Sequence, residues 1–168
     1  MTHPKRKPRR SRTIFIHTYS ILDELMASAT NPLPEKYRLH QLTVMWQGLA
    51  NIETGGDPTN NDWRVCSDAV NLMETMIREM KICEDTSGLL IEAITALAMC
   101  GKRKLEGKPL RMDGPGIFAV RSILEDYATM LDMLPHRTVV RCHRLTEKRI
   151  SAIHRGQRQA HDVEVMSL

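Results

Sequence analysis

The chain has 168 residues, a net charge of +4, 42% apolar and 26% charged residues. A chain of this size buries roughly 70% of its unfolded surface and needs no disulfide or metal to support a core. Its longest apolar runs are a few residues, which excludes a membrane-spanning helix. No apolar signal region follows the basic N-terminus, so a cytoplasmic protein is expected.

Charge is segregated along the chain. Residues 1–12 hold Lys5, Arg6, Lys7, Arg9, Arg10 and Arg12 and no acid, residues 13–136 hold 17 acidic against 11 basic groups, and residues 137–168 hold 7 basic against 3 acidic. An acidic body therefore lies between two basic ends, a pattern that bears on partners more than on fold. With Pro4, Pro8 and almost nothing to bury, residues 1–12 read as a disordered basic arm. Such an arm suits the phosphates of DNA or RNA, because clustered cations release counterions on binding; it suits an acidic protein as well. A helical bundle domain is expected over 13–156, and an extended or disordered tail over 157–168, where Val163, Val165 and Leu168 alternate.

Helical spacing begins after Thr18. Ile21, Leu22, Leu25, Met26 and Ala29 share one face until Asn31-Pro32-Leu33-Pro34 breaks the run. Pro34 can open a second helix, with Leu39, Leu42, Met45, Trp46, Leu49 and Ala50 on its apolar side, ended by Gly55-Gly56-Asp57-Pro58. Thr59 to Asp62 can cap a third, bearing Trp63, Cys66, Ala69, Val70, Met73, Met76, Ile77 and Met80. Thr86 or Ser87 can cap a fourth, with Leu90, Ala93, Ile94, Leu97 and Ala98 inside and Gly107-Lys108-Pro109 at its close. Asp113-Gly114-Pro115 opens a fifth, with Ile117, Val120, Ile123, Leu124, Tyr127, Met130, Leu131 and Leu134 inward, and Pro135 precedes a basic sixth segment. Strand signals are poor and connections short, which predicts an all-α, antiparallel bundle of five to six helices.

Residues 136–156 admit two readings. As a helix-turn-helix, Val139 and Val140 bury the first helix, Leu145 fills the turn, Thr146 caps the second, and Glu147, Lys148, Arg149, Ser151 and Ala152 face a DNA groove. As one amphipathic helix, Val139, Val140, His143, Ile150 and Ile153 pack on the bundle. Arg144 at the usual turn glycine and Glu147 facing phosphates count against the first. On both readings Arg141, Arg144, Lys148 and Arg149 are candidates for phosphate contact, together with Lys5, Arg6, Lys7, Arg9 and Arg10 of the arm.

Signals for chemistry are few. No HExxH, GxSxG or phosphate-binding GxxxxGK[ST] occurs, and Gly114-Pro115-Gly116 reads as a helix start. Glu74, Glu79, Glu92, Glu125, Asp126 and Asp132 read as solvated outer faces of helices. Met73, Met76 and Met80 read as core filling, with an exposed groove or dimer seam as the alternative. His136, His143, His154 and His161 are too far apart along a helix to share a metal. Cys66, Cys83, Cys100 and Cys142 show neither CxxC nor zinc-finger spacing, so free thiols are expected, and no metal or cofactor is.

Several phrases together resemble small helical proteins of proteobacterial phages and prophages: KRKPRR in the arm, Asn61-Asp62-Trp63-Arg64, Asp68-Ala69-Val70-Asn71 with Glu74, Leu134-Pro135-His136-Arg137-Thr138 and Thr146-Glu147-Lys148-Arg149-Ile150. The group has no established activity, so the resemblance implies a mobile-element accessory or regulatory protein and assigns no functional residue. The expectation is a non-enzymatic protein that binds nucleic acid, or a nucleic-acid-handling complex, through its basic ends. The alternative is a protein-interaction module or host-protein inhibitor acting through its acidic or Met-rich surface.

Overall fold

A computed structural model describes residues 18–157. The basic arm and the alternation of the tail lie outside the described residues.

Most helix boundaries have a local cause. Helix α1 (Ile21–Met26) starts at Ser20, whose hydroxyl accepts from the Asp23 amide at 3.1 Å while the Asp23 carboxylate accepts from the Ser20 amide at 2.7 Å. The same reciprocal box, Thr59 with Asp62, starts α3 (Asn60–Glu74). Between them α2 (Glu35–Thr54) follows Pro34 and stops at Gly55. Helix α4 (Leu90–Leu105) has Leu89 at its N-cap, and neither Thr86 nor Ser87 takes that place as expected. Asp85 reaches five residues forward to accept from the Leu90 amide at 3.1 Å, and Ser87 accepts from the Leu89 amide. Asp113 caps α5 (Gly114–Met133) through the Gly116 amide at 2.8 Å, and after the Pro135 break comes α6 (His136–His154).

Helix α3 is the axis of an antiparallel all-α bundle, packing on α2, α4, α5 and α6. Its Trp63 is buried and donates its indole N–H to the Leu97 carbonyl of α4 at 2.8 Å. Helices α2 and α3 meet closely because residue 48 is glycine: a Cβ there would lie 2.6 Å from Val65 Cγ2 and 2.8 Å from the Asp62 carbonyl. Met73 and Met76 are buried, and Ile77 and Met80 pack against the core. The methionine stripe is therefore core, not an exposed groove. Beyond Glu74 the helix widens into a π-turn over Thr75–Met80 that ends at Lys81 in left-handed geometry.

Two larger expectations are corrected as well. The apolar face of α1 is not buried: Ile21, Leu22, Leu25 and Met26 are all more than half exposed. Spacing placed them on one face, but among the described residues no element covers that face, and the segment is held instead by Ala27 and Leu33, which are buried. The helix-turn-helix is also absent, since α6 runs unbroken through Leu145 and ends where Gly156 takes a positive φ. Among the described residues the only strand-like pairing is the isolated bridge Pro32–Pro135, and no helix is long and apolar enough to cross a membrane.

Candidate nucleic-acid interface

The start of α6 is tied to the α1–α2 connection. The His136 amide donates to the Asn31 carbonyl at 2.8 Å and the Arg137 amide to the Ser28 carbonyl at 2.9 Å. The Arg137 guanidinium donates to the Ala27 and Leu25 carbonyls at 3.1 and 3.0 Å, satisfying groups that the end of α1 leaves open. Arg144, one of the predicted phosphate contacts, is half-buried and paired with Glu24 of α1. Arg137 and Arg144 therefore bind α1 to α6, and their charge is already engaged.

Arg149 is displaced further from its expected role. It is only 5% exposed and pairs with Glu74 of α3, itself 5% exposed. Its guanidinium also donates to the Asn71 carbonyl at 3.0 Å and reaches Glu79 at 3.7 Å. Thr146 completes this polar seam, donating to the Cys142 carbonyl and lying 2.7 Å from the Thr75 hydroxyl. Cys142, Thr146 and Arg149 fall at i, i+4 and i+7, one inward line of α6. Burial pushes the Cys142 thiol up to about 12, against the smaller downward pulls of the Thr146 hydrogen bond and the Arg149 charge. The expectations that Arg149 faces solvent and that Glu74 sits on a solvated face are both overturned. An ion pair with good hydrogen bonds can be buried where an isolated charge cannot.

The opposite side of α6 is different. Arg141, Lys148 and Arg155 are exposed, and among the described residues none has an ion-pair partner. They recur every seven residues, so they form one stripe with steps of about 10 Å along the helix. Arg155 was missed by the sequence reading, although the same seven-residue step from Lys148 leads to it.

Thr18, the first described residue, lies against this helix, its hydroxyl donating to the Glu147 carboxylate at 3.2 Å. The Tyr19 ring meets the buried His143 ring edge-on, with centroids 5.5 Å apart. Burial raises the Tyr19 hydroxyl pKa above its ordinary range, with Asp23 and Tyr37 adding to the rise. A hollow of about 430 Å³ follows along α6, bounded by Tyr19, Arg144, Glu147, Lys148, Ser151 and Arg155. The segment carrying Lys5, Arg6, Lys7, Arg9 and Arg10 thus joins the fold beside the stripe, although those residues lie outside the described ones. From Thr18 to Arg12, the nearest arm cation, is at most about 20 Å of chain.

Elsewhere the surface has an acidic region. Burial raises the Asp126 carboxyl above its ordinary range, and the neighbouring charges of Asp85 and Glu125 raise it further. Among the described residues no group of three or more His, Cys, Asp or Glu side chains could hold a metal ion. No family model, no curated protein and no solved structure matches this chain.

Proposed function

We propose that this is a non-enzymatic protein that binds the phosphate backbone of nucleic acid with a composite basic surface: Lys5, Arg6, Lys7, Arg9 and Arg10 of the N-terminal segment, Arg141 and Lys148 of α6, and Arg155 directly after it. The observation that carries the reading is the Thr18–Glu147 hydrogen bond. Thr18 is the first described residue after the basic N-terminal segment, and it lies against the basic helix α6. Three cations along one side of α6 and its end, without an ion-pair partner among the described residues, together with the six of the N-terminal segment, give the clustered positive charge that displaces counterions from a polyphosphate. Such contacts position the protein without reading bases, so affinity should vary little with sequence. Arg149 is outside this set and Arg144 contributes only weakly, because both are held by carboxylates. The phage-protein resemblance fits an accessory or regulatory role for such an activity.

The test is fluorescence anisotropy with labelled duplex DNA, single-stranded DNA and RNA across a salt series. The intact chain is expected to bind all three at low salt. Replacing Arg141, Lys148 and Arg155 with Ala should weaken binding uniformly and lower the salt slope by about three. Failure of the intact chain to bind any of the three at low salt overturns the proposal. The acidic region around Asp85, Glu125 and Asp126 supports a second reading, a docking face for a basic protein. That reading gains if nucleic acid fails and a basic host protein is captured only while these carboxylates are present.

A further inference from the structure

Helices α4 and α5 frame a cleft of about 740 Å³ on a different part of the molecule. Three large apolar side chains stand exposed on it, Ile91 at 40%, Met99 at 55% and Phe118 at 62%. Its floor is made of small residues, and Gly116 approaches so closely that a Cβ there would lie 2.8 Å from the Ala96 Cβ. Exposed apolar surface around a small-residue floor is what a packing partner covers.

The pattern along α4 identifies the partner. Glu92, Ala96, Met99 and Arg103 all line the cleft. At 100° per residue, Glu92 and Arg103 lie within about 20° of each other and about 16 Å apart along the axis. Among the described residues neither has an ion-pair partner. The midpoint between residues 92 and 103 falls between residues 97 and 98, and the same point lies midway between Ala96 and Met99. A second α4 laid antiparallel across that point sets Glu92 against Arg103, Arg103 against Glu92, and each Met99 over the other copy's Ala96. Charge and size are both self-complementary about one axis, the defining property of a twofold interface. We propose that the cleft is a homodimer interface in which α4 crosses α4 of a second copy, with Phe118 flanking the contact. This does not rest on the nucleic-acid reading.

The experiment is sedimentation equilibrium of the full chain, from low micromolar to hundreds of micromolar, on the parent, E92R, R103E and the combined E92R/R103E. The parent should dimerise. Each single reversal places like charges together at two symmetry-related points and should weaken the dimer at least about tenfold. The combined variant restores opposite charges and should recover most of the loss. Both reversals oppose the helix dipole, so thermal melts are recorded alongside, and M99E, which changes the centre and not the ends, serves as a second variant. A parent that stays monomeric throughout overturns the proposal. So does a dimer indifferent to E92R, R103E and M99E, or a folded double variant no better than the singles.

Discussion

Lys148 and Arg149 are neighbours on α6, yet one stands in water and the other is sealed between α6 and the α3 π-turn. The outer stripe is repetitive, solvated and free of ion pairs among the described residues. The inner seam is a single connected network that links Arg149 to Glu74, Asn71 and Thr75. A cation's role in this fold is set by what faces it from another helix. On the seam the charge specifies packing, because a buried guanidinium must donate to a carboxylate and carbonyls in the right places. On the outer face the same kind of charge costs nothing to keep exposed and stays available to a partner.

Among single substitutions in α6, Arg149→Ala should have the largest effect on folding. It leaves Glu74 buried without its main partner and should cost about 3–5 kcal/mol in urea unfolding. Replacing both, Glu74→Leu with Arg149→Met, should recover most of that loss, because the charges that lose a partner, Arg78 and Glu79, are partly exposed and no deeply buried charge is left alone. A single variant as stable as the parent would mean that the seam is no different from the outer face.

Arg144→Ala tests the intermediate case. Its pair with Glu24 is half-buried, so the expected loss is about 0.2–1 kcal/mol, read from the thermal midpoint. Limited proteolysis should then cut the α1 region faster, since Arg144 and Arg137 hold it to α6.

The acidic region supplies a contrast through pH. Asp126 binds its proton more tightly in the folded chain than in the unfolded one. Its contribution to stability is therefore fullest below the ordinary carboxylate range and is lost as pH rises through its elevated pKa. Asp126→Asn should raise the thermal midpoint slightly at neutral pH and leave it unchanged at pH values below that range.

Lys148→Ala should have the smallest effect on folding, within about 0.5 kcal/mol of the parent. Nucleic-acid affinity should nevertheless fall, so Lys148 and Arg149 separate cleanly in a plot of stability loss against binding loss.

Much of the fold is legible because helix signals are local. Thr59 with Asp62, Asp113 before Gly114-Pro115, and Gly156 act within about one turn, and each marks a boundary the structure shows. The inward faces of α5 and α6 are legible for the same reason, Val120, Ile123, Leu124, Tyr127, Val139 and Val140 all being buried. Arg149 was not, because its partner Glu74 lies 75 residues earlier in the chain. Counting Cys142 and Thr146 as inward residues places Arg149 on their line, but only Glu74 makes that line habitable for a charge. The π-turn at Thr75–Met80 has no local signature of comparable strength.

The sequence by itself determined that the chain is helical, where most helices begin and end, and that its two ends carry the positive charge. Among the described residues, tertiary structure alone decided which apolar faces are covered, leaving α1 and the α4–α5 cleft open, and which cations are engaged, holding Arg144 and Arg149 and leaving Arg141, Lys148 and Arg155 without an ion-pair partner. The reason is physical: periodicity and capping act over a few residues of one chain segment, whereas burial and ion pairing are properties of surfaces that meet only after the helices pack.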